Sequence, residues 1–474
     1  MNYDALVIGS GPNGLSAAIR LAEKGLSVKI FEAADTVGGG TRTKALTLPG
    51  FKHDVCSAIH PMAVGSPYFK TLPLDEYGLE WIYPKYPLAH PLDDEPAVIM
   101  HQSLEKTAAE LGEDADNYRS LLSPFIERWD ALAPELLSPL NSFPSHPLLL
   151  SKFGFKALQS AQRLAENKFT AHRAKALFAG LAAHSMLPLD KISTSAIGLV
   201  LGTIGHKIGW PMPRGGSHEI TKALAKHFES LGGEIETNAE ILTLNELPHS
   251  RVVLFGNTPK QILSIAGNNL PKSYAKKLRK FEYGAGVFKM DIALDGPIPW
   301  IDERCADAGT VHLGGTLDEI AHSEKQIAQN KHPDKPYVLL TQQSMFDDSR
   351  APDGQHTVWA YCHVPNGSSR DMSEPILRQI ERFAPGFRDR MLDSHSMNTR
   401  AMEAYNANYI GGDINGGKQN LGQLFTRPAG LLDPYHIPKT SMFICSSSTP
   451  PGGGVHGMCG YHAAESVLKY LSAE

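Results

Sequence analysis

Three glycines close to the N-terminus have the spacing of a turn that holds phosphate groups. Gly9, Gly11 and Gly14 lie in the segment GSGPNG. In such a turn the first glycine permits a tight bend, the second lets the main chain approach a pyrophosphate, and the third lets a helix and a strand pack closely. Pro12 and Asn13 stand where a helix would begin, and the free amides and positive dipole of a helix N-terminus attract phosphate. The segment therefore predicts a phosphate-binding turn.

The elements needed to position this turn flank it in the sequence. Residues 5–8 form a continuous apolar run, as expected of a central parallel strand that is buried on both faces. The segment LSAAIRLAEKG then has apolar residues at helical spacing and ends at Gly25. A second strand over 27–31 ends on Glu32, whose carboxylate can accept hydrogen bonds from ribose hydroxyls. The pattern predicts a nucleotide-binding βαβ unit, and a glycine turn in an unrelated βαβ unit is the alternative.

A second glycine-rich segment distinguishes FAD from NAD. Gly39, Gly40, Thr41 and Arg42 lie in AADTVGGGTRT, directly after Glu32. In FAD-binding proteins of the glutathione-reductase type, a Gly-Gly turn here brings the chain back along the pyrophosphate and ribityl, and NAD-binding domains usually lack it. We therefore predict that FAD is the cofactor and that Arg42 holds a phosphate. A flexible loop and a solvated arginine are the alternatives.

These segments resemble the phytoene-desaturase-like family of FAD-dependent oxidoreductases. The resemblance rests on VIGSGPNGLSAAIRLAEKGLSVKIFEAADTVGGGTRT with PGFKHDVCSAIHP, on WPMPRGGSHEITKALAKHFESLGGEIETNAEI, and on ICSSSTPPGGGVHGMCGYHAAESVLKYL. It is closest to the branch named for a pyridine-nucleotide-disulfide-oxidoreductase domain, although the five cysteines include no C-x-x-C pair. Phytoene desaturases usually carry Arg directly after Gly-Gly, where this chain has Gly40. The segment after Ile241 is also short, and both departures argue against a carotenoid substrate.

Two later parts of the chain return to the predicted cofactor domain. A strand over 251–255 ends at Gly256, and Ile241 precedes it. Near the C-terminus a strand over 442–445, the loop SSSTPPGGGVHG and a helix beginning near residue 458 repeat the order strand, glycine loop, helix N-terminus. The helix dipole there can stabilise the electron-rich edge of a reduced flavin. We predict cofactor contacts from Ile241, Gly256, Gly453, Gly454 and Val455, with a purely structural turn as the alternative.

The predicted fold class is α/β. A Rossmann-like FAD-binding domain of the glutathione-reductase type is expected from residues 1–114, 210–283 and 426–474, because the motifs lie in these three stretches. Residues 115–209 have helical periodicity and are expected to form an inserted helical cap. Residues 284–425 contain strand-like runs at 286–293, 337–342 and 357–363 and are expected to form a substrate domain with an antiparallel sheet.

The expected activity is oxidation or reduction of a C–C or C–N bond in an apolar or amphipathic small molecule, by hydride transfer to flavin N5. His456, in the loop expected to face the flavin, is the first candidate for an acid or base, and a structural role is its alternative. His60, His218 and His462 are further candidates, whereas His184 is expected to be packed or exposed in the cap. A flavin-dependent amine oxidase, and a flavoprotein with a mainly binding or assembly role, remain open alternatives.

Composition limits the partners and the location. A net charge of −5 over 474 residues, without basic blocks, gives no footprint for nucleic acid. No separate NAD(P)H-binding domain is expected, so quinone or oxygen is expected to accept the electrons. No metal site is expected, because His456, Cys459 and His462 would diverge on a helix. The cytoplasm is the expected location, since no signal segment and no cysteine framework is evident. Peripheral membrane contact stays open, although no basic amphipathic face is evident. The sequence does not determine the oligomeric state.

Overall fold

The computed structural model describes residues 3–139 and 143–473. Within these ranges no helix has both the length and the apolar character needed to cross a membrane. The strands, in chain order, are β1 Tyr3–Ile8, β2 Val28–Phe31, β3 Thr43–Lys44, β4 His53–Asp54, β5 Trp81–Ile82, β6 Tyr86–Leu92, β7 Glu95–Met100, β8 Met212–Pro213, β9 Glu234–Glu236, β10 Ser250–Phe255, β11 Gly286–Leu294, β12 Ala308–Leu313, β13 Val338–Thr341, β14 His356–Val364, β15 Met391–Met397 and β16 Met442–Ile444.

The helices are distributed along the whole chain, and the longest run of them lies between β7 and β8. In chain order they are α1 Pro12–Ala22, α2 Pro61–Val64, α3 Leu104–Glu110, α4 Ala115–Ile126, α5 Trp129–Leu136, α6 Pro147–Ala157, α7 Ala161–Lys168, α8 His172–Ala183, α9 Thr194–Lys207, α10 His218–Ser230, α11 Pro259–Ala266, α12 Lys272–Leu278, α13 Leu317–Ala328, α14 Ser373–Phe383, α15 Thr399–Tyr405, α16 Leu421–Thr426 and α17 Met458–Ser472.

The first sheet is parallel and has the strand order β16-β10-β1-β2-β9. Its central strands are apolar on both faces because helices cover both sides, as parallel sheets require. Helices α1, α10 and α17 pack around Leu15, Ile19, Leu224 and Val467 in one core. The strands come from three separate stretches of the chain, so distant segments must meet before this core can close.

The second sheet has seven strands in the order β15-β11-β14-β13-β12-β6-β7 and is antiparallel except for the β12–β6 pair. Successive side chains in a strand point to opposite faces. In β14, Val358 and Ala360 therefore pack with α14, whereas Trp359 and Tyr361 join the core of the helical segment α4–α9. The sheet thus lies between two helical layers.

The boundary expected at residue 114 does not coincide with the boundary between the sheets. Strands β6 and β7 lie in the stretch assigned to the cofactor domain, yet they pair in the second sheet. The expected antiparallel runs at 286–293, 337–342 and 357–363 correspond to β11, β13 and β14, each displaced by one residue at one or both ends. The pairing of β6 with β12 spans more than 200 residues, and local periodicity carries no signal for it.

Candidate functional site

A cavity of about 800 Å³ extends between the two sheets. The first sheet and its loops contribute a polar, glycine-rich end, and strands β12, β13 and β14 contribute an apolar end. The polar end includes Gly9, Gly11, Pro12, Asn13, Gly14, Glu32, Gly39, Gly40, Thr41, Arg42, Glu240, Ile241, Gly256, Gly454 and Val455. The apolar end includes Ile59, Met62, His184, Leu201, Trp210, Thr310, Leu339, Trp359 and Tyr361.

The turn requires glycine at two positions, at Gly9 for its backbone angle and at Gly14 for lack of space. Gly9 has φ +101°, a region that other residues rarely enter. A Cβ on Gly14 would lie 2.0 Å from the carbonyl oxygen of Gly9. Helix α1 begins at Pro12, so its first amides have no partner within the helix and remain available to an anion at the cavity wall.

The C-terminal helix brings a second helix N-terminus to the same cavity. Helix α17 packs directly on α1, and a Cβ on Gly460 would lie 1.9 Å from the carbonyl oxygen of Asn13. The loop before α17 lines the cavity through Gly454 and Val455. The two ends of the chain therefore close around one site, because a small residue allows the two helices to touch.

Glu32 and Arg42 form a buried pair at the polar end. The main-chain N–H and the hydroxyl of Ser10 donate to Oε2 of Glu32 over 2.9 and 2.6 Å. The N–H of Ala34 and Nη2 of Arg42 donate to Oε1, both over 3.0 Å. Arg42 also donates to the carbonyl oxygens of Thr36 and Gly39, and its side chain is almost completely buried. The alternative of a solvated arginine is therefore wrong, and Arg42 ties the second glycine loop to Glu32.

Fourteen residues predicted to contact the cofactor line the cavity together, and Gly453 is the exception. His456 does not line it either, because its ring lies behind Gly454 and is buried. Nδ1 of His456 accepts the N–H of Met458 over 3.1 Å at the start of α17. Burial lowers the pKa of His456 to about 4, so the ring is neutral and supports the loop.

The other histidine candidates are placed differently from one another. His60 lines the cavity, and its Nε2 is 2.8 Å from the Ser217 hydroxyl. His218 and His462 do not line it, and the latter faces the carbonyl oxygen of Leu137 over 2.9 Å. His184 lies in the cap at the end of α8 and packs against His312, and it also lines the apolar end of the cavity, which the sequence did not predict.

His184 is backed by a second histidine. Nε2 of His184 is 3.2 Å from Nε2 of His312, so one ring donates a hydrogen bond and the other accepts it. Burial lowers the pKa of His184 to about 3 and that of His312 well below its usual value, and both rings are neutral. A Cβ on Gly180 would lie 2.7 Å from Nδ1 of His312, so only glycine on α8 leaves room for this ring.

An aromatic pair on β14 forms the wall that the sequence did not reveal. The rings of Trp359 and Tyr361 meet edge to face with centroids 5.0 Å apart. Nε1 of Trp359 donates to the carbonyl oxygen of Cys56 over 2.9 Å, which fixes the indole. The alternation of large aromatic residues in β14 was the available signal, but periodicity does not say which face of the strand meets the cavity.

A buried ion pair lies beside this aromatic wall. Lys289 and Asp291 on β11 are register partners of Tyr361 and Trp359, and their side chains contact each other with almost no exposure to solvent. Burial raises the pKa of Asp291 to about 6. Nζ of Lys289 lies 5.9 Å from the centre of the Trp359 ring, within cation–π range. The aromatic wall is thus held from one side by a charged layer.

Comparison with known proteins agrees with this architecture. The profile of the NAD(P)-binding Rossmann-like domain matches residues 7–72. Pyridine nucleotide-disulfide oxidoreductase domain-containing protein 2 of Rattus norvegicus is 26% identical over 99% of this chain and 94% of its own length. The 4,4'-diapophytoene desaturase (4,4'-diapolycopene-forming) of Methylomonas sp is 24% identical over 77% of this chain and 74% of its own length.

Solved structures show the same fold. Cyclohexylamine oxidase from Brevibacterium oxydans IH-35A matches with a TM-score of 0.61 and 15% identity over 100% of both chains. The predicted Rossmann-like α/β fold is confirmed at this level. The expected resemblance to the phytoene-desaturase-like oxidoreductases, with the pyridine-nucleotide-disulfide-oxidoreductase-domain branch among them, is also confirmed.

Proposed function

We propose that this chain, an FAD-dependent oxidoreductase by its homologues and its nucleotide-binding domain, oxidises or reduces an apolar small molecule at the Trp359 end of the cavity. The observation that carries the proposal is a single cavity with a phosphate-binding turn at one end and an apolar, aromatic wall at the other. A cofactor held at the turn can then meet a substrate within the same cavity. FAD supplies a hydride acceptor at flavin N5 when it is bound there.

The residues present fit FAD. The turn at Gly9 and Gly14 leaves main-chain amides open to a pyrophosphate, and Glu32 lies at the end of β2, where an adenosine ribose is expected. The glutathione-reductase type of this domain is part of the proposal. It is supported by the glycine loop at 38–40, which Arg42 joins to Glu32.

The substrate end favours an apolar molecule over an ammonium ion. Within the described residues, the carboxylates that line the cavity are Glu32 and Glu240, and both lie at the polar end. The opposite end is lined by apolar side chains such as Leu201, Leu339 and Trp210. A cation placed there would lose its hydration without gaining a counter-ion, which is costly. Dehydrogenation, desaturation or saturation of an apolar C–C or C–N bond fits this lining.

For the proton that accompanies hydride transfer, we propose His184 as the acceptor or donor. Its neutral ring lines the apolar end, and His312 behind it can share the proton through the 3.2 Å contact. For His456 we propose a positioning role, because its ring supports the loop of Gly454 and Val455 without reaching the cavity lining. The two assignments predict different losses on substitution.

Three wider features belong to the same proposal. Quinone or oxygen accepts the electrons, since the match to a nucleotide-binding profile is confined to residues 7–72. The chain divides into a cofactor domain, the helical cap at 115–209 and a substrate domain, with β6 and β7 assigned to the substrate domain because they pair in its sheet. Peripheral contact with a membrane is expected, because an apolar substrate partitions into lipid.

An amine oxidase is the second candidate function. The edge-to-face pair of Trp359 and Tyr361 favours it, since aromatic faces attract cations. An amine substrate would be oxidised at a C–N bond and would yield hydrogen peroxide when oxygen reoxidises the flavin. Peroxide production with amines separates this candidate from the apolar C–C chemistry.

Anaerobic mixing of the purified FAD-loaded protein with pooled isoprenoids, lipids and amines tests the proposal. We expect the absorbance of oxidised flavin to bleach with an isoprenoid or lipid pool and not with the amine pool. If oxidised flavin persists, the reverse reaction is tested by reducing the flavin first and following its reoxidation by unsaturated members of the pools. A protein that binds no FAD, or whose flavin responds to no pool in either direction, would contradict the proposal.

A further inference from the structure

Helix α6 carries large apolar side chains on its outer face. Phe143, just before the helix, is 94% exposed, and Leu148 and Phe155 are 87% and 80% exposed. Residues 148 and 155 are two turns apart and lie on the same face. Leu158 and Ile192 are exposed next to them, since Ser193 donates its N–H to the carbonyl oxygen of Leu158. The opposite face is buried, so the exposed face is a real surface of a packed helix.

Lysines surround this apolar face. Lys152 lies on the helix face of Leu148 and Phe155, and Lys156 lies one turn further along. Lys168 ends α7. Burial lowers the pKa of Lys156, and the positive charges of Lys168 and Lys152 lower it further. The ammonium groups of Lys152 and Lys168 therefore both lie close enough to that of Lys156 to repel it. We use the name α6 surface for the exposed side chains of Phe143, Leu148 and Phe155 together with Lys152, Lys156 and Lys168.

The neighbouring carboxylates have other partners. Glu135 accepts the N–H groups of Ser145 and His146. Glu166 accepts a hydrogen bond from the side-chain amide of Gln162, and Oδ2 of Asp190 lies 3.9 Å from Nζ of Lys325. In the part of the chain that the structure describes, no carboxylate forms an ion pair with Lys152, Lys156 or Lys168, and the ammonium groups of the α6 surface remain available to another partner.

We infer that the α6 surface docks on a lipid bilayer that carries anionic headgroups. Protruding phenylalanine and leucine side chains insert among lipid headgroups, and lysines beside them attract anionic lipids. A second copy of this chain fits less well, because a symmetric contact would place the three lysines of each copy against each other. The charge and the protruding shape together favour a bilayer.

The α6 surface is coupled to the cavity through one helix. The hydroxyl of Ser195, at the start of α9, donates to main-chain carbonyl oxygens at the end of α6, over 2.7 Å for Lys156 and 3.0 Å for Ala157. Leu201, six residues further along α9, lines the apolar end of the cavity. Docking would therefore bring a lipid phase to the layer of helices that covers the substrate end. Lipid binding itself is independent of the proposed reaction and is measured without substrate.

Sedimentation of the FAD-loaded protein with vesicles tests this inference. We expect binding to vesicles of phosphatidylglycerol and phosphatidylcholine, weak binding to phosphatidylcholine alone, and release by salt, which screens the lysines. The Lys152→Gln/Lys156→Gln variant should bind about 30-fold more weakly, equivalent to about 1 kcal/mol per lysine. The Leu148→Ser/Phe155→Ser variant should bind at least about 10-fold more weakly, since full burial of one such side chain is worth about 1.5–3 kcal/mol.

Matched controls keep the result interpretable. Ile301 is 70% exposed elsewhere, so Ile301→Ser should leave vesicle binding unchanged, as should Lys226→Gln on α10. Flavin content and melting temperature show that each variant is folded. Equal binding to both kinds of vesicle, equal loss in the controls, or no binding would overturn the inference. So would a dimer of the wild-type protein that dissociates in the Leu148→Ser/Phe155→Ser variant, because the surface would then serve self-association.

Discussion

Nη2 of Arg42 lies 3.0 Å from Oε1 of Glu32, and both side chains are buried beside the cavity. The pair joins the glycine loop at 38–40 to the end of β2, the two segments from which FAD binding was predicted. A buried pair of this kind is sensitive to the loss of one partner, because the remaining charge stays desolvated.

Arg42→Met should therefore lower the free energy of unfolding by about 3–5 kcal/mol and reduce FAD content. The cost comes from the carboxylate of Glu32, which would keep its N–H donors and lose its counter-ion. Urea unfolding and the flavin-to-protein absorbance ratio measure both effects. Adding Glu32→Gln should restore part of the stability, and additive losses in the double variant would contradict the coupling.

Gly14→Ala should abolish FAD binding. Its Cβ would lie 2.0 Å from the carbonyl oxygen of Gly9, so the start of α1 must move away from the turn. Overpacking of this kind costs on the order of 1–3 kcal/mol and distorts the phosphate site as well. Gly154→Ala on α6 is the matched control, because a Cβ there meets nothing within 4 Å. Flavin absorbance after gel filtration measures how much FAD stays bound. A Gly14→Ala protein with normal flavin absorbance would contradict the assignment of the turn.

Trp359→Ala should weaken substrate turnover and leave the flavin bound. The indole forms the apolar wall and donates to Cys56, whereas the cofactor turn lies on the other sheet. Removal of a buried tryptophan costs about 3–5 kcal/mol of packing, so the variant is compared by its rate of flavin bleaching at a temperature where it is folded. Tyr361→Phe keeps the ring and should retain most of the rate. If Trp359→Ala loses FAD but keeps its rate per flavin, the cavity ends are assigned the wrong way round.

His184→Gln and His456→Gln should fail in different ways. Loss of an acid or base at the substrate end is expected to slow flavin bleaching roughly 100-fold or more at unchanged FAD content. His456→Gln removes the ring beside Gly454 and should instead lower FAD content, with a nearly normal rate per bound flavin. His206→Gln is a control for a buried histidine outside the lining. The opposite pattern would assign the proton transfer to His456.

Stability should fall as the pH drops from about 6.5 towards 4. Burial lowers the pKa values of His60, His90, His206 and His456 to about 4. Since the unfolded chain binds these protons at higher pH than the folded one, acid favours unfolding throughout this window. Asp291 opposes this trend, because its pKa is raised to about 6 in the folded protein and the folded chain therefore binds this one proton at higher pH than the unfolded chain. Melting temperatures across the range test this, and a flat profile between pH 6.5 and 4.5 would contradict it.

Local patterns accounted for the cofactor end of the site. The spacing of Gly9, Gly11 and Gly14, and the position of Glu32 after a short strand, reflect main-chain requirements that neighbouring residues satisfy by themselves. The substrate end did not follow from such patterns. His184 and Trp359 reach the cavity only because α8 and β14 pack against the same space, and periodicity within either element is compatible with several partners.

The α6 surface shows the same division. Along the sequence, Lys152, Lys156 and Lys168 are spread over two helices with a loop between them, and no basic amphipathic face was evident. Packing of both α6 and α7 on α9 brings the charges together and leaves Leu148 and Phe155 exposed.

The sequence by itself determined the nucleotide-binding βαβ unit, the class of cofactor and the kinship with flavin oxidoreductases, because each depends on short segments with strict local geometry. Tertiary structure alone decided which histidine meets the substrate end, which face of the second sheet forms its wall, and where the lysines gather. These depend on contacts between residues far apart in the chain, such as His184 with His312 and β6 with β12, and such contacts exist only once the chain is packed.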